Sequence, residues 1–238
     1  MSKYDTKEFT NPLDFFSKPL DAVVGTTTHL FEGASSNVFL CTGGPHEGHI
    51  LKVLKDTSDK ETRGIICHVQ ACERLSKIPL FIIPKPITIG TIHHGPAVIE
   101  TRVDSAMTTD RIKQLQGADE TTKLNFLLNV FHTLSRIESL GIIPNDISLD
   151  DLAWNPDSVL PQRRIGLVSL NSAYIRLGQF NHFSDEQTAW NISRRASQKL
   201  GISLFPGHLF YSLDEGPEID SYKRIGQYFA DKLRNENG

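Results

Sequence analysis

Apolar and polar positions follow two rhythms along this chain. In "HLFEGASSNVFLCTG" and again in "HILKVLKD" they alternate one by one, with the turn-rich "GGPHEG" between. A period of two marks a half-buried strand, so the stretch predicts two antiparallel strands joined by a turn. In "ETRGIICHVQACERLSKI" the apolar residues Ile65, Ile66, Val69, Cys72 and Leu75 fall instead at helical spacing, with Pro79 beyond the end, which predicts a helix. "IPKPITIGTIHHGPAVIETRV" returns to strand character and predicts two more strands turning at "HHGP". Ahead of all these, residues 1–25 mix polar positions with "NPLDFF" and "KPL", a pattern of short turns expected to pack on the body as an arm.

The second half holds the helical rhythm longer. "ETTKLNFLLNVFHTLSRIESLGI" sets Leu124, Leu127, Leu128, Phe131, Leu134 and Ile137 on one face and stops at Gly141, predicting a buried amphipathic helix. "IIPNDISLDD" and "RRIGLVSLNSAYIRL" then predict two short strands. From about Ser184, "DEQTAWNISRRASQKLG" and "DSYKRIGQYFADKLRNEN" predict helices joined by a Gly/Pro-rich connection. No internal repeat or low-complexity segment is visible. The reading is an α+β chain with an arm at 1–25, a sheet-rich part at 26–103 and a mainly helical part at 104–238.

Composition narrows the function. A chain of 238 residues with 39% hydrophobic and 22% charged residues can bury a core, and a formal charge of −3 argues against general nucleic-acid binding. No apolar run nears the roughly 18 residues of a membrane span, and the opening "MSKYDTKEFTNPLDFF" lacks the apolar centre of a signal peptide. The expected setting is cytoplasmic or otherwise intracellular, with no membrane or nucleic-acid partner. Cys41, Cys67 and Cys72 form no CxxC pair and read as reduced thiols. No Walker A, HExxH, GxSxG or zinc-ligand spacing occurs, and His93 and His94 read as turn residues.

Four stretches, in order, resemble the protein-kinase-like superfamily, nearest in flavour to fungal kinase-like and aminoglycoside-phosphotransferase-like proteins. "FEGASSNVFL" resembles a degraded glycine-rich loop, with Gly33 at the middle glycine and Ser36 replacing another. By that resemblance the backbone around Gly33, Ser35 and Ser36 would cradle phosphates, and Val38 would pack on adenine. Lys52 in "HILKVLKD" is similar to the "VAIK" lysine that contacts phosphates; alternation puts Lys55, a second possibility, on the opposite face. "AVIETRVDSAM" resembles the inter-lobe hinge, which implies Ile99 guarding a rear pocket, with the Glu100 carbonyl and the Arg102 amide toward adenine. "IIPNDISLDD" resembles "HRDLKPEN", with Pro144 for His, Asn145 for Arg, Asp146 retained as the base and Asp151 for the metal-binding Asn. The resemblance implies a two-lobed fold with a small antiparallel-sheet N-lobe and a mainly helical, shortened C-lobe, binding ATP and magnesium.

The departures fall on the chemistry. His68 stands where the family's helix glutamate would hold the lysine, and a neutral imidazole supplies no fixed negative charge. Ser169 stands where "DFG" has its metal-binding Asp, and a hydroxyl is a weak ligand for a hard cation. Losing metal-based charge stabilisation removes ~4 kcal/mol, roughly a thousandfold in rate. Pro144 removes a side-chain donor that braces the loop. The reading that follows is a pseudokinase acting as a protein-binding scaffold, decoy or regulator with weak or no ATP binding. The alternatives are an atypical active kinase using Lys52, Asp146 and Asp151 on a protein or small molecule, and an unrelated α+β binding domain. "SRRAS" also places Arg194 and Arg195 before Ser197, similar to basophilic kinase substrates, and so raises phosphorylation of Ser197.

Overall fold

The computed structural model describes residues 12–33, 35–79, 81–144, 146–160, 163–170, 174–175, 186–202 and 221–236. They divide into two compact units, one reaching Pro79 and resuming over Ile83–Asp104, the other taking Leu80–Ile82 and the chain from Ser105 onward. The chain is α+β, with a five-stranded antiparallel sheet and several helices.

The first unit opens with a 3-10 turn at Pro12–Phe16 and a short helix α1 (Asp21–Val24). Strands β1 (Thr27–Glu32), β2 (Ser36–Cys41) and β3 (Ile50–Leu54) follow, then helix α2 (Asp59–Leu75) and strands β4 (Pro86–Ile92) and β5 (Gly95–Glu100). The order across the sheet is β1-β2-β3-β5-β4. The run beginning at His29, expected as one strand, folds back on itself after Gly33, whose N–H donates to the Ser36 carbonyl at 2.8 Å. A glycine and small polar residues turn the chain there, so alternation on both sides of the turn looked like one strand.

Register decides which side chains share a face. Val38 pairs with Lys52 and Lys52 with Val98, while Ile50 pairs with Glu100, so all five project to the same side. On that side Ile65, Ile66 and Val69 of α2 pack with Leu54, Ile89, Val98, Phe15 and Phe16. On the other, Leu51, Ala97 and Ile99 pack with Leu20, Val24 and Cys41. The N-terminal residues thus supply both layers. They cross the β4 edge by two hydrogen bonds, Leu20 N–H to the Thr91 carbonyl and Thr91 N–H to the Lys18 carbonyl, each 2.8 Å. The β4–β5 hairpin turns through His93 and His94, both left-handed at φ +47° and +68°, the backbone of a mirror-image two-residue turn.

The second unit contains helices α3 (Thr109–Gln116) and α4 (Glu120–Ser139), strand β6 (Ile142–Ile143), a 3-10 turn at Leu149–Asp151, and strands β7 (Leu152–Trp154), β8 (Ile165–Leu167) and β9 (Tyr174–Ile175). Helices α5 (Glu186–Leu200) and α6 (Ser221–Glu236) follow. Helix α3 was not anticipated; its eight residues carry only Ile112 and Leu115 into the core. Asp119 caps α4, its Oδ1 accepting from the Thr122 N–H at 2.7 Å. The buried face of α4 is wider than expected: Phe126 and Val130 join Leu124, Leu127, Phe131, Leu134 and Ile137, while Leu128 is only half-buried. Phe131 stacks on Phe229 of α6 with centroids 5.7 Å apart. Each such fully buried Leu or Phe contributes ~1.5–3 kcal/mol relative to exposure, so packing more than propensity holds this helix. Among the described residues no helix is long and apolar enough to cross a membrane.

Candidate functional site

In the first unit, three polar side chains meet under the sheet. Lys52 is 9% exposed, Glu100 2% and His68 0%. Lys52 Nζ lies 2.6 Å from Glu100 Oε1, and His68 Nε2 lies 2.7 Å from Glu100 Oε2. Both carboxylate oxygens are therefore engaged, one by an ammonium and one by an imidazole. Burial pushes the Glu100 carboxyl up, but the Lys52 ammonium and then His68 outweigh it and hold the group below the usual carboxylate range.

The imidazole's tautomer follows from its neighbours. Nε2 must carry hydrogen to donate to Glu100, so the 3.5 Å approach of Lys52 Nζ to Nε2 brings two donors together and is not itself a bond. Nδ1 faces Cys72 Sγ, one helical turn on, at 3.7 Å. Burial, with the Glu100 charge nearby, raises the Cys72 thiol far above its ordinary value, so it stays S–H and can donate to Nδ1. A neutral His68 completes this arrangement, and Lys52 and Glu100 cancel.

The sequence-based assignments change accordingly. His68 reaches Lys52 from α2, but the lysine is not loosely held, because Glu100 on β5 supplies the negative charge. Glu100 acts through its side chain, and the hinge assignment of its carbonyl misplaced its role. Ile99 is one residue out of phase with that row. It packs on the opposite face with Leu51 and Ala97 and does not guard a pocket beside Lys52. Val38 does share the face of Lys52. The Gly33 N–H is committed to its own turn, and the Ser35 carbonyl accepts from the Lys55 N–H at 3.1 Å. Ser36 is buried within β2, opposite Leu54. Lys55 pairs with Glu32 at 2.5 Å, and Arg102 pairs with Asp104 at 2.9 Å. A cavity of about 710 Å³ opens on the other side of the sheet, floored by Phe39, Leu51 and Val53 and rimmed by Asp21, His93 and His94; Lys52 does not line it.

The second unit holds the acidic loop. Asp146 is exposed and left-handed at φ +49°, and its Oδ1 accepts from Arg195 Nη1 of α5 at 2.6 Å. One helical turn further along α5, Lys199 Nζ meets Asp150 Oδ2 at 2.9 Å. Two basic residues at i and i+4 thus engage two carboxylates four apart. The carboxylate proposed as metal ligand, Asp151, directs Oδ2 to the backbone N–H and hydroxyl of Ser148 at 2.9 and 2.8 Å, closing a capping box. Pro144 keeps its place by its carbonyl, which accepts from the buried Tyr222 hydroxyl at 2.6 Å. Ser169 is half-buried just after β8, and Asn145 and Asn171 lie outside the described residues. Among the described residues no three His, Cys, Asp or Glu side chains converge as metal ligands would. Ser197, read as a phosphorylation target, faces the core at 0% exposure, where no kinase can reach it.

Neither the protein-family models nor the curated proteins compared with this chain contain a match.

Proposed function

We propose that this chain is a kinase-like protein of two lobes that has given up phosphoryl transfer and works as a protein-binding scaffold, decoy or regulator. The observation carrying the reading is that the two residues left from the phosphotransfer machinery each face a partner inside their own unit. Lys52 faces Glu100 and Asp146 faces Arg195. A base held against a guanidinium is a poor proton acceptor, and an ammonium matched by a buried carboxylate has little charge left for phosphate. Ser169 in place of a carboxylate weakens metal binding further. Three free cysteines accord with an intracellular setting.

The test is phosphate transfer from labelled ATP with magnesium or manganese, to itself and to general protein acceptors, beside Asp146→Asn. The expected outcome is no transfer above that variant. Metal-dependent transfer that Asp146→Asn abolishes would establish an atypical active kinase instead. For the binding role, cross-linking on the protein in its own cells should return a partner in near-stoichiometric amount; finding the chain solitary would refute it.

A further inference from the structure

We infer that Glu100 is an internal stand-in for a ligand phosphate, making the first unit reject nucleotide phosphates at Lys52. The inference rests on the kinase-like reading above, which gives Lys52 a phosphate to meet. Lys52 lies on β3 and Glu100 on β5, neighbours inside the five-stranded order, so the carboxylate is fixed to the sheet and cannot swing away as a side chain on a loop could. Glu100 sits on the same face as Lys52, one step along the diagonal from Val98, and reaches it at 2.6 Å. Its second oxygen is tied by His68 at 2.7 Å, and His68 is kept from turning by Cys72 behind it at 3.7 Å. An incoming phosphate would have to take Lys52 from a carboxylate that is 2% exposed, leaving two anions side by side out of water. The four side chains are a closed set of one cation, one anion and two neutral groups.

Glu100→Gln keeps the shape and removes the charge. Calorimetric titration at neutral pH with ATP, and separately with inorganic tripolyphosphate, compares the natural chain, Glu100→Gln, and Glu100→Gln with Lys52→Met. The natural chain should take up neither. Glu100→Gln should tighten binding of both by roughly ten- to hundredfold, the equivalent of a freed charge-assisted hydrogen bond, and the double variant should lose that gain. Binding by the natural chain that Lys52→Met removes would overturn the inference. A Glu100→Gln protein with unchanged circular dichroism and no gain would overturn it too. Should Glu100→Gln fail to fold, an acyl-phosphate nucleotide that acylates amines decides on the natural chain. Modification of exposed Lys60 with Lys52 untouched supports the inference, and ATP-protected acylation of Lys52 refutes it. Lys52-dependent binding without phosphate transfer would sink this inference alone, whereas transfer that needs Asp146 would sink the proposed function.

Discussion

Replacing Glu100 with leucine should destabilise the first unit more than replacing Lys52 with methionine, and the second change should partly rescue the first. Glu100→Leu leaves a buried ammonium without its carboxylate and the His68 N–H without an acceptor. Stripping one partner from a buried pair costs about 3–5 kcal/mol. Lys52→Met is milder, ~2–3 kcal/mol, because His68 at 2.7 Å can take up a proton and stand in as the cation. With both replaced, no charge is left buried and only the His68 N–H is orphaned, at ~1–3 kcal/mol. The double variant should therefore be about 2 kcal/mol more stable than Glu100→Leu alone. Urea unfolding followed by far-ultraviolet circular dichroism measures this, since both tryptophans, Trp154 and Trp190, belong to the second unit and are blind to the first. With a slope of about 1–3 kcal/mol per molar, Glu100→Leu should lower the midpoint by more than ~1 M. If Glu100→Leu falls within ~1 kcal/mol of the natural chain, or the double is as unstable as the two singles summed, the three side chains do not form the coupled unit described.

Three further outcomes follow from the same geometry. Glu100 is held below the usual carboxylate range, so its contribution is complete above the ordinary glutamate value of about 4.3 and disappears as pH falls through the lowered folded value; the stability gap between the natural chain and Glu100→Gln should narrow between pH 7 and pH 3, and an equal gap at both would contradict the pairing. Cys67, half-buried, should react with a thiol reagent well before Cys41 and Cys72, which are buried, and peptide mapping that finds Cys72 labelled as fast as Cys67 in folded protein would contradict its place behind His68. Gly166→Ala would drive its new carbon into the backbone carbonyl of Ile82, costing about 1–3 kcal/mol or more, and Trp154, paired with neighbouring Ile165, should report the loss by fluorescence during urea unfolding.

How far the sequence could be read depended on how local each signal was. The α4 face and its stop at Gly141 were legible because helical spacing and a left-handed glycine act within a few residues. The opposite faces of Lys52 and Lys55 were likewise legible from alternation alone. Helix α3 was missed because two apolar residues in eight give no periodicity to detect. Ser197 looked like a surface site because its arginines are adjacent in sequence, while the side of α5 that turns inward is settled by what covers it.

The acidic loop and the buried lysine show the division most clearly. Lys52, His68 and Asp146 could be singled out from residue type and order. Their partners could not, because Glu100 lies 48 residues beyond Lys52 and Arg195 lies 49 beyond Asp146. Sequence by itself determined that strands, a helix and an acidic loop would form and that one lysine would sit among apolar neighbours, since these depend on periodicity and turn chemistry. Only the tertiary structure decided that Glu100, and not Ile99, shares the lysine's face. A strand slipped by one residue turns its whole set of side chains over, and the register that fixes this is set by pairing between segments far apart in the chain.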